Sequence, residues 1–189
     1  MAAKTGTYTL INSTTLSTSA TSVTFSSIPG TYTDLAIVTF AGNTTASAYD
    51  ILVTFNSDTG SNYSRTRLYG NGTSAVSTRD SNVSNIVVGS MNGSASTNGF
   101  SVGRYNINDY ANTTTYKTML VRQDTPGSTT FAIVGLWRST AAITSITFTP
   151  EAPSNIASGS TFKLYGIEAG NLKWRYNYLR LHLPLLRVL

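Results

Sequence analysis

The chain reads as an all-β protein, an antiparallel sandwich or barrel of short strands. Three observations predict this. Charged residues are only 11% of the 189, less than half the ordinary ~25%, and Ser, Thr, Asn and Gly take their place. Aromatic residues nevertheless reach 11%, with 11 Tyr, 7 Phe and 2 Trp, whereas disordered low-complexity chains are poor in aromatics. Short β-branched and aromatic runs recur between clusters of turn formers, and no convincing amphipathic helix is present.

Taken in order, residues 7–11 (TYTLI) and 22–25 (SVTF) read as strands joined by a Ser/Thr-rich connector, 12–21. Ile28-Pro29-Gly30 is a turn, because Pro fixes φ and Gly frees it. Residues 34–40 (DLAIVTF) are apolar at nearly every position, the mark of a buried strand. The stretch 50–72 reads as a hairpin: a strand at 51–55, the turn formers Asn56-Ser57-Asp58-Thr59-Gly60-Ser61-Asn62, and a second strand at 63–69. Alternation puts Tyr63, Arg65, Arg67 and Tyr69 on one face of that strand, expected to face outward for contact with a protein or a sugar. Residues 74–81 are polar and read as an exposed loop; 82–89 (NVSNIVVG) read as a strand. In 100–110 the expected anchors are Phe100, Val102, Tyr105 and Ile107, and their change of parity near Gly103-Arg104 predicts a bulge. A strand at 116–123 ends at the turn Asp124-Thr125-Pro126-Gly127. Residues 129–138 (TTFAIVGLWR) form the most apolar run and are expected at the centre of a sheet, with Trp137 in the core. The run 143–149 alternates, with Ile146 and Phe148 on one face, and 160–167 (STFKLYGI) is the last strand of the body. About ten strands result.

Several function classes are excluded or weakened. Without Cys there is no disulfide framework, thiolate nucleophile or Cys-ligated zinc. His182, the single histidine, leaves little to build a His zinc site or a Ser-His-Asp triad. The N-terminal MAAKTGTYTL has no apolar stretch of signal-peptide type, and no run reaches membrane-spanning length, so no membrane partner is expected. Asp58-Thr59-Gly60 is the tripeptide of aspartic proteases, but there is no second copy and polar Asn56 and Ser57 precede it. Asn56, Asp58 and Asn62 with Gly60 could offer oxygen ligands to Ca²⁺, yet carry one formal charge and a glycine misplaced for an EF-hand loop. A hydrogen-bonded turn is the better reading, and no cofactor is called for.

Charge separates the body from the tail. The formal charge is +5, but Lys173, Arg175, Arg180 and Arg187 lie in a stretch without acids, leaving 9 basic against 8 acidic residues elsewhere. That balance offers no basic stripe for nucleic acid on the body. Residues 168–189 (EAGNLKWRYNYLRLHLPLLRVL) are a separate arm, basic and Leu-rich, after a domain spanning 1–167. In the arm, Trp174, Tyr176 and Tyr178 alternate with Arg175 and Asn177, and Arg180 and Leu183 follow. An arm this apolar should pack on a neighbour, so Trp174, Arg175, Tyr176, Tyr178, Arg180 and Leu183 are the expected partner contacts.

Five segments carry a resemblance: TYTLINSTTLSTSATSVTFSSIPGTYTDL, FNSDTGSNYSRTRLYGNG, DYANTTTYKT, VGLWRSTAAITSITFTP and GSTFKLYGI. Across about residues 7–167 the chain resembles small virion structural proteins of tailed bacteriophages, notably those of aquatic bacteria. The resemblance implies a jelly-roll-like β-sandwich, to which this chain adds an extended C-terminal tail, a homotrimer, and a place on the outer capsid surface as a cement protein bridging major capsid protein subunits. The alternative it implies is a fibre; if several of Tyr63, Tyr69, Tyr105, Trp137 and Trp174 share one exposed surface, they could stack on a host glycan. No enzymatic activity is implied. The arm from Glu168 departs from the family pattern.

Overall fold

The computed structural model describes residues 7–94 and 96–168. They form twelve strands: β1 (Tyr8–Thr15), β2 (Val23–Phe25), β3 (Asp34–Ala41), β4 (Tyr49–Phe55), β5 (Tyr63–Gly70), β6 (Ala75–Val83), β7 (Ile86–Met91), β8 (Ser101–Asn108), β9 (Lys117–Thr125), β10 (Thr129–Trp137), β11 (Ile146–Pro150) and β12 (Thr161–Ile167). There is no helix among the described residues. Two antiparallel sheets result, one of eight strands in the order β1-β12-β3-β8-β9-β10-β5-β6 and one of four, β2-β11-β4-β7. They face each other as a β-sandwich, the expected class.

The core lies between the sheets and is aromatic-rich. Phe148, on β11 of the small sheet, meets Tyr105 at 5.4 Å and Phe162 at 5.3 Å between ring centroids, both rings belonging to the large sheet. Phe25 joins edge-on at 6.5 Å. Each such side chain contributes roughly 1.5–3 kcal/mol by leaving water. Gly135 on β10 lets the sheets approach: a Cβ there would stand 2.7 Å from Ile86 Cδ1 on β7. The expected interior place of the 129–138 run holds, with β9 and β5 on its two sides.

Several local expectations are corrected. The stretch 50–72 is not a hairpin: β4 pairs with β11 and β7, whereas β5 pairs with β10 and β6. The loop between them crosses from one sheet to the other. Asn56 and Ser57 take positive φ of 50° and 57°, and the Asn56 side chain bonds Ala142 O, Thr144 N and Ser145 N, which turns the chain away from a return pairing. The polar stretch 74–81 is not a loop but most of β6. It pairs with β5 at the end of the large sheet, and its polarity reflects an edge strand with little cover on either face. Arg79 and Asp80 on such an edge discourage pairing with other chains. The 82–89 strand divides between the end of β6 and β7.

The bulge near Gly103-Arg104 is absent, since β8 runs in unbroken register with β3 from Ser101 to Asn108. Its inward set is Ser101, Gly103, Tyr105 and Ile107, and Val102 points out. Gly103 is small because the Tyr105 hydroxyl and Thr39 fill the space beside it. Bulges occur instead in β1 between Leu10 and Asn12, and in the β4–β7 and β5–β6 pairings. The strand expected at 7–11 continues to Thr15 as the partner of β12.

Candidate functional site

The residues expected to face outward on β5 face inward. Tyr63 is fully buried and stacks on Trp137 at 6.3 Å and 17°. Its hydroxyl accepts from Phe55 N at 3.0 Å and donates to Asp58 O at 3.0 Å. Burial pushes its pKa up to about 12. Arg65 donates through Nε to Asp80 at 2.7 Å. Arg67 lies 3.6 Å from Asp50 and 3.8 Å from Asp80. Asp50 belongs to the small sheet, so Arg67 ties the two sheets together where the large one overhangs. Asp50 also accepts a hydrogen bond from Ser90 on β7. The Arg65 hydrogen bond holds the Asp80 carboxyl below its usual pKa. Tyr69 is half-buried against Phe131 at 5.7 Å. Four candidates are therefore architectural, through the inward turn that the sheet crossing at 56–62 imposes.

Asp58 is a lock for that crossing. Its carboxylate accepts from Trp137 Nε1 at 2.7 Å, Asn62 Nδ2 at 2.9 Å and Gly60 N at 2.8 Å. Desolvation raises its pKa, but the hydrogen bonds from Trp137, Asn62 and Gly60 outweigh it and hold the carboxyl below the usual range. The oxygens that a Ca²⁺ site would need face hydrogen donors instead. Among the described residues no group of three metal-ligating side chains occurs. Of the aromatic residues expected to stack on sugars, Tyr63, Tyr105 and Trp137 are buried. Trp174, Arg175, Tyr176, Tyr178, Arg180 and Leu183 lie outside the described residues.

What the structure leaves open is the outer face of the eight-stranded sheet. Among the described residues nine large apolar side chains stand out from the surface, and eight of them (Tyr8, Leu10, Val38, Phe40, Leu68, Val102, Leu120 and Val134, each 39–56% exposed) share this one face. Together they present roughly 700 Å² of mostly apolar surface at ordinary side-chain areas, divided by Lys163, Arg104, Arg122 and Asp124 into smaller clusters. The face spans about 34 Å across eight strands. Three hollows mark it. One of about 580 Å³ lies among Leu68, Ala75, Arg122, Thr130 and Ala132. A second, about 270 Å³, is lined by Val102, Arg104, Arg122 and Asp124. The third, about 260 Å³, lies among Tyr8, Ala36, Val38, Arg104 and Tyr165.

Cations stand in the middle of this face. One row across the strands runs Lys163, Val38, Arg104, Arg122, Ala132, Leu68, Ser77. Arg104 and Arg122 are directly opposite one another on β8 and β9. Arg104 donates to the Tyr8 hydroxyl at 2.8 Å and lies over its ring at 5.9 Å. The ion pairs among the described residues join Arg65 and Arg67 to Asp50 and Asp80, so Arg79, Arg104, Arg122 and Lys163 have none. The sequence held one signal for this surface. Residues 34–40 and 129–138 are apolar on both faces, the pattern of strands covered on both sides. Here, among the described residues, only the inner side is covered.

No family model, no curated protein and no solved structure matches the chain.

Proposed function

We propose that the chain is a non-enzymatic structural protein of a phage virion, a cement or decoration protein that binds the outer capsid surface as a homotrimer and bridges major capsid protein subunits. The single observation that carries this reading is the uncovered apolar outer face of the eight-stranded sheet. A surface of that size in a chain of 189 residues fits a component made to be covered in an assembly. Strand order supports the jelly-roll part of the proposal. The groups β1-β12-β3-β8 and β2-β11-β4-β7 have the interleaving of a double Greek key, and the hairpins β5–β6 and β9–β10 are insertions that widen one sheet. Bridging makes modest contacts sufficient, because several sites on one trimer engage together at high effective concentration.

A glycan-binding fibre is the second reading, favoured by one place alone. In the hollow beside Arg104, Tyr8 and Tyr165 meet edge-on at 6.3 Å, a polar-aromatic setting suited to sugar. The aliphatic surroundings favour protein. The copy number of the chain in purified particles separates the two readings. Hundreds of copies per particle is the expected result; a few tens would replace the cement function by the fibre. The same count with residues 168–189 removed tests the arm as anchor, and unchanged occupancy would discard that role.

A further inference from the structure

We infer that the outer face of the eight-stranded sheet docks an acidic, apolar protein segment whose carboxylate sits between Arg104 and Arg122. Naming the capsid shell as the bearer of that segment rests on the virion reading above; the chemistry of the face does not.

Two like charges directly opposite on neighbouring strands destabilise a sheet. The fold gives Arg104 and Arg122 that relation. Arg104 donates to the Tyr8 hydroxyl and Asp124 lines the same hollow, yet neither arginine has an ion-pair partner among the described residues. Elsewhere the same sheet pairs its arginines with aspartates, as Arg65 with Asp80, so the fold has the means to neutralise a guanidinium. A carboxylate arriving from outside removes the repulsion and gains charge-assisted hydrogen bonds from two guanidinium groups. Around this pair, Val38, Val102, Leu68 and Leu120 provide an apolar surround that excludes water and strengthens the contact.

Charge also selects against two other occupants. A second copy placed face to face would set Arg79, Arg104, Arg122 and Lys163 against the same four. The chain's own arm brings Lys173, Arg175, Arg180 and Arg187. Both oppose cation to cation. Sugars are poor occupants because the exposed side chains are mainly Val and Leu.

The test uses the full chain and the aryl sulfonate dye ANS, an anionic apolar probe that brightens on exposed apolar surface. Wild-type protein is titrated beside Leu120→Glu/Val134→Glu and Arg104→Glu/Arg122→Glu, with sedimentation velocity and circular dichroism on each. All four substituted positions across these variants are exposed and outward-facing, so native spectra are expected. The proposal predicts saturable binding by the wild type, weakened at least tenfold in either variant and weakened by salt. Unchanged binding in both variants overturns it, as does a wild type that binds no dye. A change of oligomeric state produced by Leu120→Glu/Val134→Glu overturns it in favour of a second copy. Undecorated shells then test the virion reading separately: dye binding that depends on the arginines, with no shell binding by the wild type, retains the acidic docking face and removes the shell as its partner.

Discussion

The two faces of the eight-stranded sheet are made by the same strands and handle charge in opposite ways. On the inner face, Arg65 and Arg67 meet Asp80 and Asp50, and the apolar side chains lock into an aromatic core. Outside, amid half-exposed valines and leucines, Arg104 and Arg122 stand opposite one another on β8 and β9 without an ion pair among the described residues, although Asp124 lines the same hollow. The inner face pairs its charges within the chain, though Arg67 Nε, Thr78 Oγ1 and Gln123 Oε1 are buried there without a hydrogen-bond partner among the described residues. The outer one keeps Arg104 and Arg122 without ion pairs among the described residues, which under the proposal costs the isolated fold some stability and is relieved by a partner.

The largest way to break this comparison is on the inside. Phe148→Ala should cost about 3–5 kcal/mol, read as a large drop in the urea midpoint with an unchanged slope. Leu120→Ser, on the outer face, should stay within about 0.5 kcal/mol. Similar losses at the two positions would mean that the outer face is also packed. Next in size is Tyr63→Phe. It leaves Phe55 N without its buried acceptor, at about 1–3 kcal/mol, measured in the same unfolding experiment.

Acid sharpens the comparison further. Hydrogen bonds hold the folded pKa values of Asp58 and Asp80 below the usual carboxylate range. Their contribution is therefore complete above the unfolded pKa and is lost as pH falls through the folded one. Unfolding midpoints should fall below about pH 4, and Asp58→Asn should flatten that fall. A wild type as stable at pH 2 as at pH 6 would show that neither lock contributes. The smallest effect has the opposite sign. Arg122→Glu replaces a like-charged cross-strand pair by an opposite-charged one and should stabilise the fold by about 0.2–1 kcal/mol.

Much of the fold was legible because strand alternation and turn chemistry are local. The runs at 34–40, 129–138 and 160–167 read as strands and are strands, and Trp137 reads as core and is core. Pairing between distant strands was not legible. Phe55 and Tyr63 are separated by turn formers alone, and only the bonds of Asn56 to residues 142–145 reveal that the chain changes sheets there. β6 was missed because an edge strand with neither face in the core has no apolar pattern to show. The outer face was missed for a different reason. Continuous apolar runs read as doubly buried strands, and nothing in a sequence says that one cover is absent. The choice of Tyr63, Arg65, Arg67 and Tyr69 as surface groups failed because alternation assigns residues to a common face without saying which face is inward.

The central claim is that the outer face is held at a cost to the fold for the sake of a partner. Arg122→Glu tests it most directly when thermal stability and binding to undecorated shells are measured on the same preparation. The account predicts a higher melting temperature together with loss of shell binding. A lower melting temperature with shell binding intact would contradict it.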